Sequence, residues 1–326
     1  MAYSSDNLPA TPTVPLKVGV SACLIGESVR FDGGHTRSTA PIELLASLFQ
    51  FESFCPEVGI GLGTPRKPIK LVGEVEAPRA ISRDPAVGDV TVSLRQYAAE
   101  NQLRLEDLDG FVLMKNSPSC GVFRVRIHAK EGSPPTRQAR GIFANAVMRA
   151  RPTLPIEEGG RLFDPVLREN FVTRVFVHAH WRSVRVTGIT PARLVAFHSR
   201  YKYLVMAHDF SVYKRLGRIV ANLKKNLDEI AETYFIELMN ALSEPSSRGG
   251  HANVMSHLQG FVKNQLSPQS RQELAMAIES YRKGEIPLLA PMTLLKHHLG
   301  DHEASYALDQ IYLQPHPSSA GLRRDL

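Results

Sequence analysis

The sequence predicts an α/β chain in two parts, an N-terminal domain on a Rossmann-like open parallel sheet followed by an all-α helical domain. Three observations predict it. Apolar runs at Val18–Val20, Phe51–Glu57 and Asp109–Lys115 alternate with helical segments, the rhythm of a parallel sheet with crossover helices. The stretch Arg151–Gly160 (RPTLPIEEGG) is dense in turn residues and places a boundary between Leu154 and Asp164. From Asp164 onward, apolar residues recur at helical spacing.

With 326 residues, 43% hydrophobic and 22% charged, the chain can bury two cores without disulfide staples. It has no run of eighteen apolar residues and no secretory leader, so a cytoplasmic location without a membrane partner is expected. Residues 1–16 read as a disordered polar tail, residues 17–158 as the α/β domain and residues 159–326 as the helical one. Charge divides unequally between them. Through Gly160, 18 Lys and Arg face 17 acidic residues, and beyond it 21 face 15, so the second half holds the basic excess.

In chain order, Val18–Val20 runs into Ser21-Ala22-Cys23 and a polar turn that carries Arg30, Asp32, Gly33-Gly34 and His35. Pro41–Gln50 is a short helix with apolar Leu44, Leu45 and Leu48. Phe51–Glu57 is a second strand ending at Cys55-Pro56-Glu57, and Gly59–Lys70 is a Gly/Pro-rich loop whose Arg66, Lys67 and Lys70 can face an anion. Leu71–Glu76 is a strand and Val90–Leu105 an amphipathic helix. The continuous apolar run in Asp109–Lys115 suits a central parallel strand buried on both faces, and it ends in Asn116-Ser117-Pro118-Ser119-Cys120-Gly121. Val122–Ala129 alternates as a half-exposed strand, Gly132–Pro135 is a loop and Gly141–Ala150 a helix. Helices follow from Asp164 to about Val186, from Thr190-Pro191 to about Ala207, from Ser211, from about Val254 to Leu266, from Pro268 to Lys283 and from Leu288 to His298. The end after Gln314 reads as loose.

Cys23, Cys55 and Cys120 are the only cysteines, an odd number that makes no disulfide framework. Each sits where a predicted strand stops, and strand-exit loops of a parallel sheet gather at one edge. Each alone is more often a small buried hydrophobe than a metal ligand or a nucleophile. Together, without the paired Cys-x₂-Cys of structural zinc, they suit a cluster or a catalytic metal with an open position.

In the second half, His178–Lys225 holds ten Lys or Arg against one acid, Asp209, with aromatic residues interleaved. A solvated face mixes its signs, so this pattern reads as a nucleic-acid surface through Arg182, Arg200, Lys202, Lys214, Arg215 and Arg218. His178 and His180, two apart, are poorly spaced for one metal on one helical face; these and His198 and His208 read as structural.

The order Ser21-Ala22-Cys23-Leu24-x-Gly26, Arg30-x-Asp32-Gly33-Gly34, Cys55-Pro56-Glu57 and Ser117-Pro118-Ser119-Cys120-Gly121 resembles the thiouracil desulfidase domain across about residues 16–155. The second half, through HAHWR at His178–Arg182, FHSRYKYLVMAH at Phe197–His208 and Leu288–Leu299, resembles the helical domain often fused to it. The fused arrangement resembles bacterial desulfidases that remove sulfur from 4-thiouridine in tRNA. The resemblance implies that Cys23, Cys55 and Cys120 ligate a 4Fe–4S cluster with one open iron. It further implies that the substrate's sulfur leaves as hydrosulfide without external electrons. Glu57 is then the first choice for general acid or base and Ser117 the second, as a donor to substrate or water. Their bland alternatives are a helix N-terminal carboxylate and a turn-closing hydroxyl. Arg30, Asp32, Arg66 and Lys67 are expected to touch substrate, and Ser21 and Ser119 to tune the cluster sulfurs. Two competing functions stay open: desulfidation of a free thionucleobase, and a non-catalytic RNA-binding module with a structural metal. Oligomeric state leaves no signal.

Overall fold

The computed structural model describes residues 8–12, 15–36, 39–130, 134–223, 226–317, 321–324 and 326. They form two compact units, residues 13–164 and residues 165–326 together with the first twelve. The first unit runs β1 (Leu16–Ser21), α1 (Thr39–Leu45), β2 (Phe49–Phe54), α2 (Pro56–Gly59), β3 (Ile69–Val72), β4 (Arg79–Ser82), α3 (Thr91–Glu100), α4 (Gln102–Glu106), β5 (Gly110–Leu113), β6 (Val125–His128), β7 (Thr136–Ala139), α5 (Ile142–Ala150) and β8 (Ile156–Glu158).

The expected parallel sheet is present, in the order β2-β1-β5-β8. Val18, Val20, Phe111, Val112 and Leu113 are wholly buried, as central strands covered on both faces require. Gly19 keeps β1 against its neighbour, since a Cβ there would meet Leu108 Cδ1 at 2.8 Å and Phe111 Cδ2 at 3.0 Å. The next strand of this sheet lies on one side of β1 for β2 and on the other for β5. The topological switch therefore falls between β1 and β5, and the crevice beyond their carboxyl ends is where a ligand sits. Ser21 ties those ends together: its buried Oγ accepts the Met114 N–H at 2.9 Å.

A second sheet, β4-β3-β6-β7, is parallel at β3/β6 and antiparallel outside it. Its strands β4 and β7 lie outside the expected set because each has four residues and β7 (TRQA) has one buried position, too little for alternation to register. β8, predicted as boundary loop, is the edge of the parallel sheet; three residues between Pro155 and Gly159 carry no readable period. Helix α1 ends at Leu45 rather than Gln50, because Phe49 and Gln50 already pair with Leu16 and Lys17. Strand β3 stops at Val72, before Gly73 at φ 96°. The helix expected over Val90–Leu105 divides at Asn101. The loop expected at Gly132–Pro135 lies partly outside the described residues.

The second unit is helical: α6 (Pro165–Val186), α7 (Pro191–His208), α8 (Phe210–Val220), α9 (Leu227–Ala241), α10 (Arg248–Gln259), α11 (Pro268–Lys283), α12 (Leu289–Asp301) and α13 (Ser305–Leu308). Every residue from Glu169 to Trp181 of α6 is buried, on all sides of the helix. Trp181 stacks on Phe235 at 4.7 Å and Phe197 on Tyr201 at 4.2 Å; the aromatic residues of the helical pattern here build core. His180 bridges Tyr201 Oη (2.7 Å) and the Pro9 carbonyl (2.9 Å), a structural role. Pro9, placed in the tail expected to be disordered, is thereby fixed; residues 1–7, 13 and 14 lie outside the described set. The cap of α8 is Asp209, whose Oδ1 accepts from Ser211 and Val212 N–H, rather than Ser211. The segment after Gln314, expected to be loose, returns to the core: buried Arg323 donates through Nε to Glu169 Oε1 at 2.7 Å and through Nη1 to the Tyr312 carbonyl at 2.7 Å. Among the described residues no helix is long and apolar enough to cross a membrane.

Candidate functional site

Loops leaving β1, β2 and β5 enclose a cavity of about 350 Å³, and all three cysteines line it. Cys23 lies in the single 3-10 turn that follows β1, Cys55 is the N-cap of α2, and Cys120 closes the turn after β5. That last turn is built by Asn116, at φ 58°, and by Ser117, whose Oγ accepts the N–H of Ser119 at 3.2 Å and of Cys120 at 3.0 Å. Glu158 supports it from behind, Oε1 accepting the N–H of Val122 and Phe123 at 2.9 and 3.0 Å.

Burial first, then the charge of Cys55, raises the Cys23 thiol to about 11. Burial raises Cys55, and burial with the charges of Glu57 and the other two thiols raises Cys120 well above its ordinary value. Cys23 feels the charge of Cys55, and Cys120 that of both others, which agrees with their shared cavity wall. With nothing bound they keep their protons at neutral pH, and a bound cation would reverse that. Among the described residues no three of His, Cys, Asp and Glu are placed to hold one metal ion.

Glu57, in the first turn of α2, joins the cysteines in the cavity wall. Arg66 grips it with Nε and Nη2, at 2.8 and 2.5 Å, both on Oε2, and the Ser119 hydroxyl donates to Oε1 at 2.9 Å. The pair is deeply set, the side chains 14% and 8% exposed, where truncating either partner strands the other's charge. Arg66 also donates Nη1 to the carbonyls of Val29 (3.0 Å) and Gly63 (2.9 Å), so one guanidinium joins the Cys23 loop, the Gly59–Lys70 loop and α2. Its function in this geometry is to position Glu57.

Of the remaining expected residues, Ser117 and Arg30 line the cavity, whereas Asp32 and Lys67 are exposed outside its wall. Arg30 donates Nη1 to Thr36 Oγ1 at 2.5 Å. Asp32 Oδ1 accepts the Gly34 N–H at 3.1 Å, a bond that with Arg30 lowers its carboxyl below the usual value. Ser21 reaches towards Cys120 and offsets a small part of the rise of its thiol, while Ser119 serves Glu57. Sequence reasoning missed Lys115, which lines the same cavity; its signal was its place between strand β5 and Cys120.

The six basic residues of the helical unit divide. Lys202 Nζ stands over the rings of Tyr203 and Tyr306 at 4.9 and 5.2 Å, and Lys214 Nζ over Phe210 at 4.5 Å. Tyr306 adjoins Phe261 at 5.7 Å, and Phe210 stacks on Tyr213 at 5.7 Å; Phe210, Phe261 and Tyr306 are exposed. Arg218 is exposed near them in sequence, Arg182 and Arg200 are half-buried, and Arg215 is paired with Glu237 at 2.5 Å. Counting charges along His178–Lys225 overlooked α9, whose Glu232 and Glu237 neutralise Arg185 and Arg215.

A family model described as 2-thiouracil desulfurase matches residues 18–159, and one described as a protein of unknown function, DUF1722, matches residues 202–317. The uncharacterized protein YbgA of Escherichia coli (strain K12) is 33% identical over 157 residues, 48% of this chain and 93% of that protein. The uncharacterized protein YbbK of Bacillus subtilis (strain 168) is 32% identical over 108 residues, 31% of this chain and 71% of that protein. A solved structure of the [4Fe-4S]-dependent thiouracil desulfidase TudS is 27% identical, covers 45% of this chain and 93% of its own, and superposes with a TM-score of 0.36. With the motifs of the three strand-exit loops inside the matched segment, the chain belongs to the 2-thiouracil desulfurase family, joined to a DUF1722 region.

Proposed function

We propose that the protein removes sulfur from 4-thiouridine in tRNA, giving uridine and hydrosulfide by hydrolysis of the C–S bond with no external electrons. The observation that carries this reading is the convergence of Cys23, Cys55, Cys120, Glu57 and Ser117 on one cavity at the switch point of the sheet.

The donor set fits a 4Fe–4S cluster with three cysteine ligands. Cys23, Cys55 and Cys120 would hold it from the wall of one cavity, and the chain has no fourth cysteine to close the set. When bound, such a cluster supplies a soft Lewis acid for the thiocarbonyl sulfur at the iron without a cysteine.

The chain's own groups manage water and protons. Both Arg66 bonds fall on Glu57 Oε2, filling its lone pairs, while among the described residues Oε1 accepts only from Ser119 and keeps one lone pair open. Glu57 Oε1 is therefore the atom that takes a proton from the attacking water, and Arg66 holds the carboxylate in register for it. The Ser117 oxygen accepts two backbone N–H groups, which orients its own O–H as a donor to the substrate ring or the departing sulfur. Phe31, Phe54 and Pro118 offer apolar surface to a flat base.

The paired cations and rings around Lys202, Tyr306, Phe210 and Lys214 support the RNA half of the reading, since bases stack on exposed rings and ammonium groups meet phosphates. The second reading is the same reaction on a free thiobase. Sulfide release from 4-thiouridine tRNA and from thiouracil, each measured between 50 and 200 mM salt, tests the choice. The tRNA reaction is expected to weaken steeply with salt and the free-base reaction hardly at all. Turnover of thiouracil alone would sink the tRNA reading.

A further inference from the structure

The helical unit encloses a cavity of its own, of about 130 Å³, between α6, α7, the start of α10 and the segment around Arg323. Two guanidinium groups in its wall are held by the protein through part of their donors only. Buried Arg323 gives Nε to Glu169 Oε1 and Nη1 to the Tyr312 carbonyl, both at 2.7 Å, and among the described residues its Nη2 has no partner. Arg248, the first residue of α10, gives Nη1 to the Tyr281 carbonyl at 3.0 Å and lies 5.0 Å from the centre of the Tyr281 ring. The Ser246 hydroxyl in the same wall is buried and has no partner among the described residues. Glu169, the one acidic side chain there, is already met by Arg323, by the Thr173 hydroxyl at 3.3 Å and by His316 at 3.4 Å. Leu326 also lines the wall; its carbonyl accepts the Leu288 N–H at 2.7 Å. Donors are thus in excess, and a group of oxygens that accepts them is the complement.

Two imidazoles narrow the choice. His208 Nδ1 donates to the Glu244 carbonyl at 2.7 Å. The Tyr312 hydroxyl donates to the His251 carbonyl at 3.3 Å, so its oxygen accepts from His251 Nδ1 at 3.1 Å. Both rings line the cavity with Nε2 left over, and burial keeps them neutral, at about 4 and about 3. A neutral Nε2 is an acceptor, which suits an oxyanion that still carries a proton and opposes one that carries none. Phosphate and its monoesters, with a second pKa of about 6 or above, hold a proton at pH 6; sulfate and an internal phosphodiester hold none. The volume is that of about four waters at about 30 Å³ each, room for one phosphate group and too little for a nucleotide. We propose that this cavity binds inorganic phosphate or a terminal phosphate monoester, Arg248, Arg323 and Ser246 donating to its oxygens and His208 or His251 accepting from its P–OH. The site lies apart from the cysteines and does not rest on the desulfidase reading.

Calorimetric titration of the full-length protein at pH 6 with inorganic phosphate, and with sulfate at equal ionic strength, tests it. One phosphate per chain is expected, with sulfate weaker by about tenfold. Arg323 is bound into the core, so the variants are Arg248→Gln and Ser246→Ala. The first should weaken phosphate by about tenfold. The second should weaken it by about fivefold while the phosphate-free protein melts no lower than wild type, because the hydroxyl removed had no partner to lose. Binding of tRNA with and without its 5′-phosphate separates the two sources. Weaker binding of the dephosphorylated RNA, with phosphate competing in wild type and not in Arg248→Gln, assigns the site to an RNA end. Equal binding of both RNAs, with phosphate still bound, assigns it to a free phosphate compound. No phosphate binding, equal affinity for phosphate and sulfate, or an affinity unmoved by both substitutions overturns the proposal, and none of these results bears on desulfidation.

Discussion

At the scale of single residues, the account turns on Glu57 and the guanidinium that grips it. Glu57→Gln keeps the shape of the side chain and removes its proton-accepting charge. Sulfide release is expected to fall about 10²–10⁴-fold, while iron and sulfide content stay as in wild type. The same change strands the nearly buried Arg66 charge, so urea unfolding should show a loss of about 3 kcal/mol. Pairing it with Arg66→Met should recover most of that stability and none of the activity; recovery of activity would show that Glu57 is structural. Residue chemistry was the most legible layer of the sequence. A thiol, a carboxylate and a hydroxyl at strand exits declare their chemistry by type alone. What stayed hidden was which groups they bond: Arg66, read as a contact to substrate, is turned inward by Glu57, and Ser119 serves that same carboxylate. Such partners lie up to 62 positions apart, and spacing along a chain carries no trace of them.

At the scale of elements, the strands that position the cysteines were readable because buried parallel strands are runs of apolar residues. β4, β7 and β8 were not, since short edge strands owe their existence to a partner's hydrogen bonds more than to their own composition. Helices were clearest where a cap announced them, as at Thr190-Pro191 and Ser267-Pro268; α9, whose N-cap Asn226 makes no side-chain cap bond, was missed, and with it the acids that neutralise Arg185 and Arg215. The α7–α8 surface therefore yields a graded prediction for tRNA binding by filter assay. Lys214→Ala should weaken binding and lower the slope of log K against log salt by about one, whereas Arg215→Ala, already paired with Glu237, should change the slope less. Phe261→Ala should cost about 1–3 kcal/mol of tRNA affinity through lost stacking. Equal slopes in all three proteins and in wild type would remove this surface from RNA binding.

At the scale of the whole molecule, the change from alternating to purely helical pattern made the fold class legible, a parallel-sheet α/β part followed by a helical one, because each must bury its own apolar periodicity. The helical unit also carries a pH dependence that no sequence pattern announced. Burial holds His180 and His198 at about 4 and His251 at about 3, against an ordinary 6.5. The unfolded chain thus takes up these protons near pH 6.5 and the folded one resists, so their contribution is full above that value and is lost as pH falls towards 4, about 2 kcal/mol each by pH 5. Glu169, opposed by burial but held well below the usual carboxylate range by Arg323 and His316, extends the loss below about pH 4.5. Scanning calorimetry should show Tm falling between pH 7 and pH 5, and an unchanged Tm would contradict it. The central claim, that three thiols in one cavity support hydrolytic desulfidation, is tested most directly by anaerobic reconstitution with iron and sulfide, removal of reductant, and incubation with tRNA containing 4-thiouridine. The account predicts loss of the thiouridine near-ultraviolet absorbance with one hydrosulfide released per base, abolished in Cys23→Ala. Full loading without turnover, or turnover that survives Cys23→Ala, would contradict it.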